Sequence, residues 1–137
     1  MENIKVLVVE PEKIPREAEI ENSLESLQSI VGGYIEATYP FSDPVAIICN
    51  EEGKLQGMPL NRSLRDENGS MYDVVAGAFI VCGLGDENFS SLSPAMLDKY
   101  KDHFRCPEVF FRTEDGIQAM KIQPPRQKPS RNTEMER

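Results

Sequence analysis

The chain opens on a β-branched run, residues 4–9 (Ile-Lys-Val-Leu-Val-Val), stopped by Pro11. That is too short for a helix, and its near-continuous apolar character predicts a strand inside a sheet. Residues 11–15 contain two prolines and read as a turn, after which Arg16-Glu17-Ala18-Glu19-Ile20 is expected to pair back on the first strand as a polar edge. Leu24, Leu27 and Val31, with Ile30 widening the stripe, then predict a helix. Asn22 is its expected N-cap, Glu25 closes a capping box, and Gly32-Gly33 ends it because glycine accepts the left-handed conformation beyond the last turn.

Residues 34–39 and 45–50 read as strands separated by Pro40 and Asp43-Pro44. Glu51-Glu52-Gly53 is expected to turn a hairpin whose return strand starts at Lys54-Leu55-Gln56. From Gly57 to Gly69 the pattern has neither period, and it predicts a loop with one helical turn. Residues 71–82 read as one long strand with Gly77 as a bulge or close-approach point. Ser93-Pro94 starts a second helix, as N-cap followed by proline in the first turn, with Met96, Leu97, Tyr100 and Phe104 on one face. It should stop before Cys106-Pro107, and residues 109–111 and 117–122 form a last hairpin over Asp115-Gly116. The order predicts an α+β domain: a mixed sheet with an opening β-hairpin, one capped helix and a late helix. A β-grasp-like arrangement fits best, and a ferredoxin-like sheet is the alternative.

Composition divides this picture in two. Residues 123–137 hold three prolines, one apolar side chain, four basic and two acidic groups, and are expected to form a disordered Pro-rich basic tail. The total charge is -8, so the domain of residues 1–122 carries -10. A body so acidic should be repelled by nucleic acid and attracted to basic surfaces. No run reaches the ~18 apolar residues of a membrane span, and no signal-peptide pattern opens the chain, so a cytoplasmic protein without membrane contact is expected.

The chemistry available is narrow. Cys49, Cys82 and Cys106 make no CxxC pair, and His103 is the single histidine. Cys49 and Cys82 fall in apolar strands where a thiol acts as a small hydrophobe, so no catalytic residue, metal ligand or cofactor is assigned. Glu51-Glu52 and Asp86-Glu87 could pair as acid–base or metal carboxylates, but solvated turn residues are the simpler reading. Gly83-Leu84-Gly85 lacks the third glycine and the immediate helix of a dinucleotide loop.

Two features point to binding. On a helical turn pinned by Leu60 and Leu64, Arg62 and Arg65 would project together and, with Asn61 and the backbone of Gly32-Gly33, could clamp a phosphate-bearing small ligand. Local ion pairing with Asp66 or Glu67 is the competing reading. Glu10, Glu12, Glu17, Glu19, Glu21 and Glu25 cluster in the first quarter and could present carboxylates to a basic protein partner. Ordinary solubilising charge competes with that.

At residues 5–11 (KVLVVEP), 27–36 (LQSIVGGYIE), 47–55 (IICNEEGKL) and 59–62 (PLNR), the chain resembles a family of small uncharacterised proteins carrying a domain of unknown function. That family occurs in Gram-positive bacteria, their mobile elements and phages. The resemblance covers roughly residues 4–111; it implies a shared fold and a setting on mobile DNA, and brings no activity or catalytic residue. With the acidity, it leads to the expectation of a non-enzymatic interaction protein, an anti-defence or host-modulating inhibitor of a basic host macromolecule. The alternative is the small-ligand module built on Asn61, Arg62 and Arg65.

Overall fold

A computed structural model describes residues 2–124 of the chain. The expected tail therefore lies, beyond its first two residues, outside the described residues. Ten strands and two helices follow in the order β1 (Asn3–Val9), β2 (Arg16–Glu21), α1 (Leu24–Val31), β3 (Ile35–Thr38), β4 (Val45–Asn50), β5 (Leu60–Arg65), β6 (Met71–Ala76), β7 (Phe79–Leu84), β8 (Phe89–Ser90), α2 (Pro94–His103), β9 (Glu108–Thr113) and β10 (Gly116–Lys121).

The main sheet has the order β2-β1-β7-β4-β3, with β8 on the end of β7. It is buried on both faces, which explains the continuous apolar runs of its inner strands. Alternate residues of β1, β4 and β7 serve two cores. Ile4, Val6, Val8, Ala46, Ile48, Ile80 and Cys82 pack under α1 through Leu27 and Val31. Leu7, Val9, Val45, Ile47, Phe79 and Val81 face Leu97, Tyr100 and Phe104 of the α2 segment, and Leu64 and Val75 of the separate β5–β6 ribbon. Burying a side chain of this size stabilises by about 1.5–3 kcal/mol, so a one-residue slip of β1, which would exchange the two sets, is strongly opposed.

The α+β class, the opening hairpin with β2 at an edge and the closing β9–β10 hairpin stand as expected. So does the second helix, capped by Ser93 with Pro94 in its first turn. Every pairing is antiparallel, where a mixed sheet is the expectation. The opening hairpin and helix keep the start of a β-grasp arrangement, but β1 meets β7 antiparallel.

Several local expectations are corrected. The N-cap of α1 is Ser23, whose Oγ accepts from Ser26 N; Asn22 instead donates to the Phe89 carbonyl, so Glu25 closes no capping box. Leu24 lies exposed, and Leu27 and Val31 alone are the buried pair of the helix. Residues 51–57 are consecutive turns with no return strand. Residues 71–82 are two strands in two different sheets: Gly77, at φ +80°, is the corner between them instead of a bulge, and it is a close-approach point as expected. A Cβ at Gly77 would lie 2.7 Å from Met58 Sδ, so that corner needs both the left-handed conformation and the missing side chain.

Residues 60–65 form β5 instead of a helical turn. Leu60 faces Ala76 and Arg62 faces Val75, which leaves Asn61 as the extra residue of a β-bulge. The bulge breaks the alternation of the strand, so Asn61, Arg62, Ser63 and Leu64 are all buried.

Candidate functional site

The bulge gathers a buried polar centre. Asn61 Nδ2 donates to the carbonyls of Val9 and Gly77, both at 2.9 Å. Arg62 is 0% exposed. Its Nε and Nη2 donate to the Phe104 carbonyl at 3.1 and 2.9 Å, Nη2 to the Lys13 carbonyl at 2.6 Å, and Nη1 to Asn61 Oδ1 at 2.8 Å. Phe104 caps α2, so the guanidinium sits on the negative end of that helix dipole. Burial pulls the Arg62 pKa below its ordinary value, against the Glu108 charge that supports it. Glu108 itself is buried and accepts from Ser63 N at 3.2 Å and Ser63 Oγ at 2.6 Å, which docks β9 onto β5.

This arrangement takes the expected anion clamp apart. The Arg62 donors are turned to internal carbonyls, whereas Arg65 lies at the exposed end of β5 and donates to Ser63 Oγ and the Gly69 carbonyl. Neither bonds Asp66, whose Oδ1 accepts from the backbone N–H of Asn68 and Ser70. Gly32 caps α1 at φ +82°, and a Cβ on Gly33 would lie 2.8 Å from Asn50 Nδ2. Both stand at the helix C-terminus, whose dipole disfavours a phosphate.

The six glutamates of the first quarter are also separated. Glu17, Glu19 and Glu21 alternate with Ala18 and Ile20, which pack toward α1, and so lie on the other face of β2. Glu17 meets Lys101 of α2, which draws its pKa down, and Glu19 stands opposite Lys5. Glu10 lies 3.4 Å from Arg16, Glu12 takes φ +69° in the turn between β1 and β2, Glu21 accepts from Ser23 Oγ, and Glu25 projects from α1. Lys5 across the hairpin, Lys101 from α2 and Arg16 thus meet part of that charge.

A different concentration of carboxylates lines a groove of about 310 Å³ between the β3–β4 edge, the turn at 51–55 and β6. Glu36 of β3 and Asp73 of β6 both line it and both act on Cys49, and the exposed Glu51 and Glu52 complete the acidic lining. The Cys49 thiol is pushed up to about 11 by burial first, then by the charges of Glu36 and Asp73. Lys54 reaches Asp73 Oδ1 at 2.5 Å. Among the described residues, Glu36, Glu51 and Glu52 enter no ion pair. The groove also borders Thr38, whose Oγ1 is the one buried side-chain polar atom without a hydrogen-bond partner among the described residues.

The domain model matches residues 4–105, most of the described chain. The chain belongs to the DUF3846 family, a domain of unknown function. No curated protein and no solved structure matches it. The DUF3846 match contains the main sheet, the bulged β5, the groove and α2, and stops before the β9–β10 hairpin that Glu108 anchors. Among the described residues of this DUF3846 chain no helix is long and apolar enough to cross a membrane, and no group of three or more His, Cys, Asp and Glu side chains could hold a metal ion.

The groove was only partly visible in the sequence. Glu51-Glu52 stands out there as an acidic pair, but Glu36 and Asp73 are separated by two other strands and the turn region. Each does carry a local signal, a lone acid in an otherwise uncharged strand.

Proposed function

We propose that the chain is a non-enzymatic interaction protein that binds a basic macromolecule through its acidic surface. The observation that carries this reading is the groove, where Glu36, Glu51 and Glu52 enter no ion pair among the described residues and Lys54, the one cation in the lining, is engaged by Asp73. Uncompensated carboxylates on low-dielectric walls attract a positively charged surface and speed its encounter. The non-enzymatic part is supported by the thiols. Burial pushes Cys82 up to about 12 and Cys49 up to about 11, far from a nucleophile at neutral pH. His103 is packed edge-on among the rings of Phe41, Tyr100 and Phe104. The same proposal takes the setting to be a phage or mobile element, with a host component as the target.

The test is capture from host lysate on the immobilised full chain, at low and moderate salt. A specific basic protein released as salt rises supports the reading. Recovery of nothing specific at either salt overturns it.

A further inference from the structure

We infer that the basic partner presents an extended segment of alternating basic and apolar residues, which adds as a strand to the free edge of β3 and lays its basic side chains into the groove beside Glu36. This rests on the reading above and gives it a place and a sequence pattern.

The main sheet has two outer strands, β2 and β3. β2 bears Arg16, Glu17, Glu19 and Glu21, the dense charge that blocks pairing with another chain. β3, Ile35-Glu36-Ala37-Thr38, has a single charge, and among the described residues it pairs only with β4. It is flanked by Tyr34 and Tyr39, at 71% and 60% exposure. An edge of this kind offers backbone donors and acceptors to an incoming strand, and the side chains of that strand then alternate between the two faces.

The two faces beside β3 differ in chemistry. Ile35 and Ala37 turn toward the α1 core and pack against it. Glu36 and Thr38 turn the other way, into the groove with Cys49, Asp73 and the Glu51–Glu52 rim. A strand added here would therefore set every second residue against an apolar surface and the intervening ones against uncompensated carboxylates. Alternating apolar and Lys or Arg residues satisfy both faces; a block of charge satisfies neither. The unpartnered Thr38 Oγ1 borders the same groove.

The test uses the full chain and two synthetic peptides of equal composition and charge, acetyl-Val-Arg-Val-Lys-Val-amide and acetyl-Arg-Lys-Val-Val-Val-amide. Titration calorimetry should give the alternating peptide the tighter binding by about tenfold, with amide-exchange protection appearing at residues 35–38 and not at 16–21. Glu36→Lys should cost at least about tenfold in that affinity. Equal affinity for the two peptides, protection at β2 instead of β3, or no binding of either peptide overturns the inference. Capture of a basic host protein that Glu36→Lys leaves intact also overturns this placement while sparing the proposed function; the absence of any basic partner removes both.

Discussion

Replacing Arg62 by Met keeps an unbranched stem as far as the Nε position but removes the guanidinium, and with it every donor, from a site with no access to solvent. Four acceptors lose an Arg62 donor: the carbonyls of Phe104, Lys13 and Asn61, and Asn61 Oδ1. Each buried acceptor left unmade costs about 1–3 kcal/mol, and partial relaxation brings the sum to about 3 kcal/mol. The usual escape, in which apolar replacement of a buried ion is neutral, requires the partners to change as well. Here three of the four are backbone carbonyls. For a domain of this size about 3–5 °C of Tm accompanies each kcal/mol, so Arg62→Met should melt about 10–15 °C below the parent by circular dichroism. Arg62→Lys should recover little, because one ammonium cannot serve carbonyls on α2, the β1–β2 turn and the bulge together. A Met variant melting within about 2 °C of the parent would refute the view that this guanidinium fastens the three segments.

Gly77→Ala should lose about 1–3 kcal/mol in urea unfolding, because the added Cβ meets both a left-handed backbone and Met58 Sδ. The His103 pKa is lowered, by burial first, then by Lys121 and Lys99 against Glu108 and Asp102. The unfolded chain then binds more protons around pH ~6.5, so stability should fall as pH drops from about 7.5 to about 5.5, and His103→Phe should flatten that dependence in thermal melts. Cys82 and Cys49, with thiols raised to about 12 and about 11, should resist iodoacetamide at neutral pH in intact-mass spectra. Rapid modification of either in the folded chain contradicts their burial.

What the sequence made legible is what short-range rules govern. The run at 4–9 reads as an inner strand because both of its faces are apolar, and Ser93-Pro94 reads as a helix start because cap and first turn are adjacent in the chain. Gly32 is legible for the same reason. β5 was not, since Asn-Arg-Ser at 61–63 shows no alternation; its burial depends on a bulge and on carbonyls supplied by residues 9, 13, 77 and 104. The expected pairing of Arg62 with Arg65 fails by the same cause, a strand where a helical turn was assumed. Ser23 displaces Asn22 as the cap because Phe89, distant in sequence, engages the Asn22 amide. The acidic groove exists only once β3 and β6 lie on opposite walls, so glutamates that are neighbours in the chain drew attention ahead of carboxylates that are neighbours in space.

The central claim is that the uncompensated groove carboxylates bind a basic partner. The most direct measurement compares, by capture from host lysate at physiological salt, the full chain with a variant carrying Glu36→Gln, Glu51→Gln and Glu52→Gln, after thermal melts show both folded. The account predicts a basic protein on the parent that is lost from the variant. Equal recovery from both, or no specific protein on the parent, would contradict it.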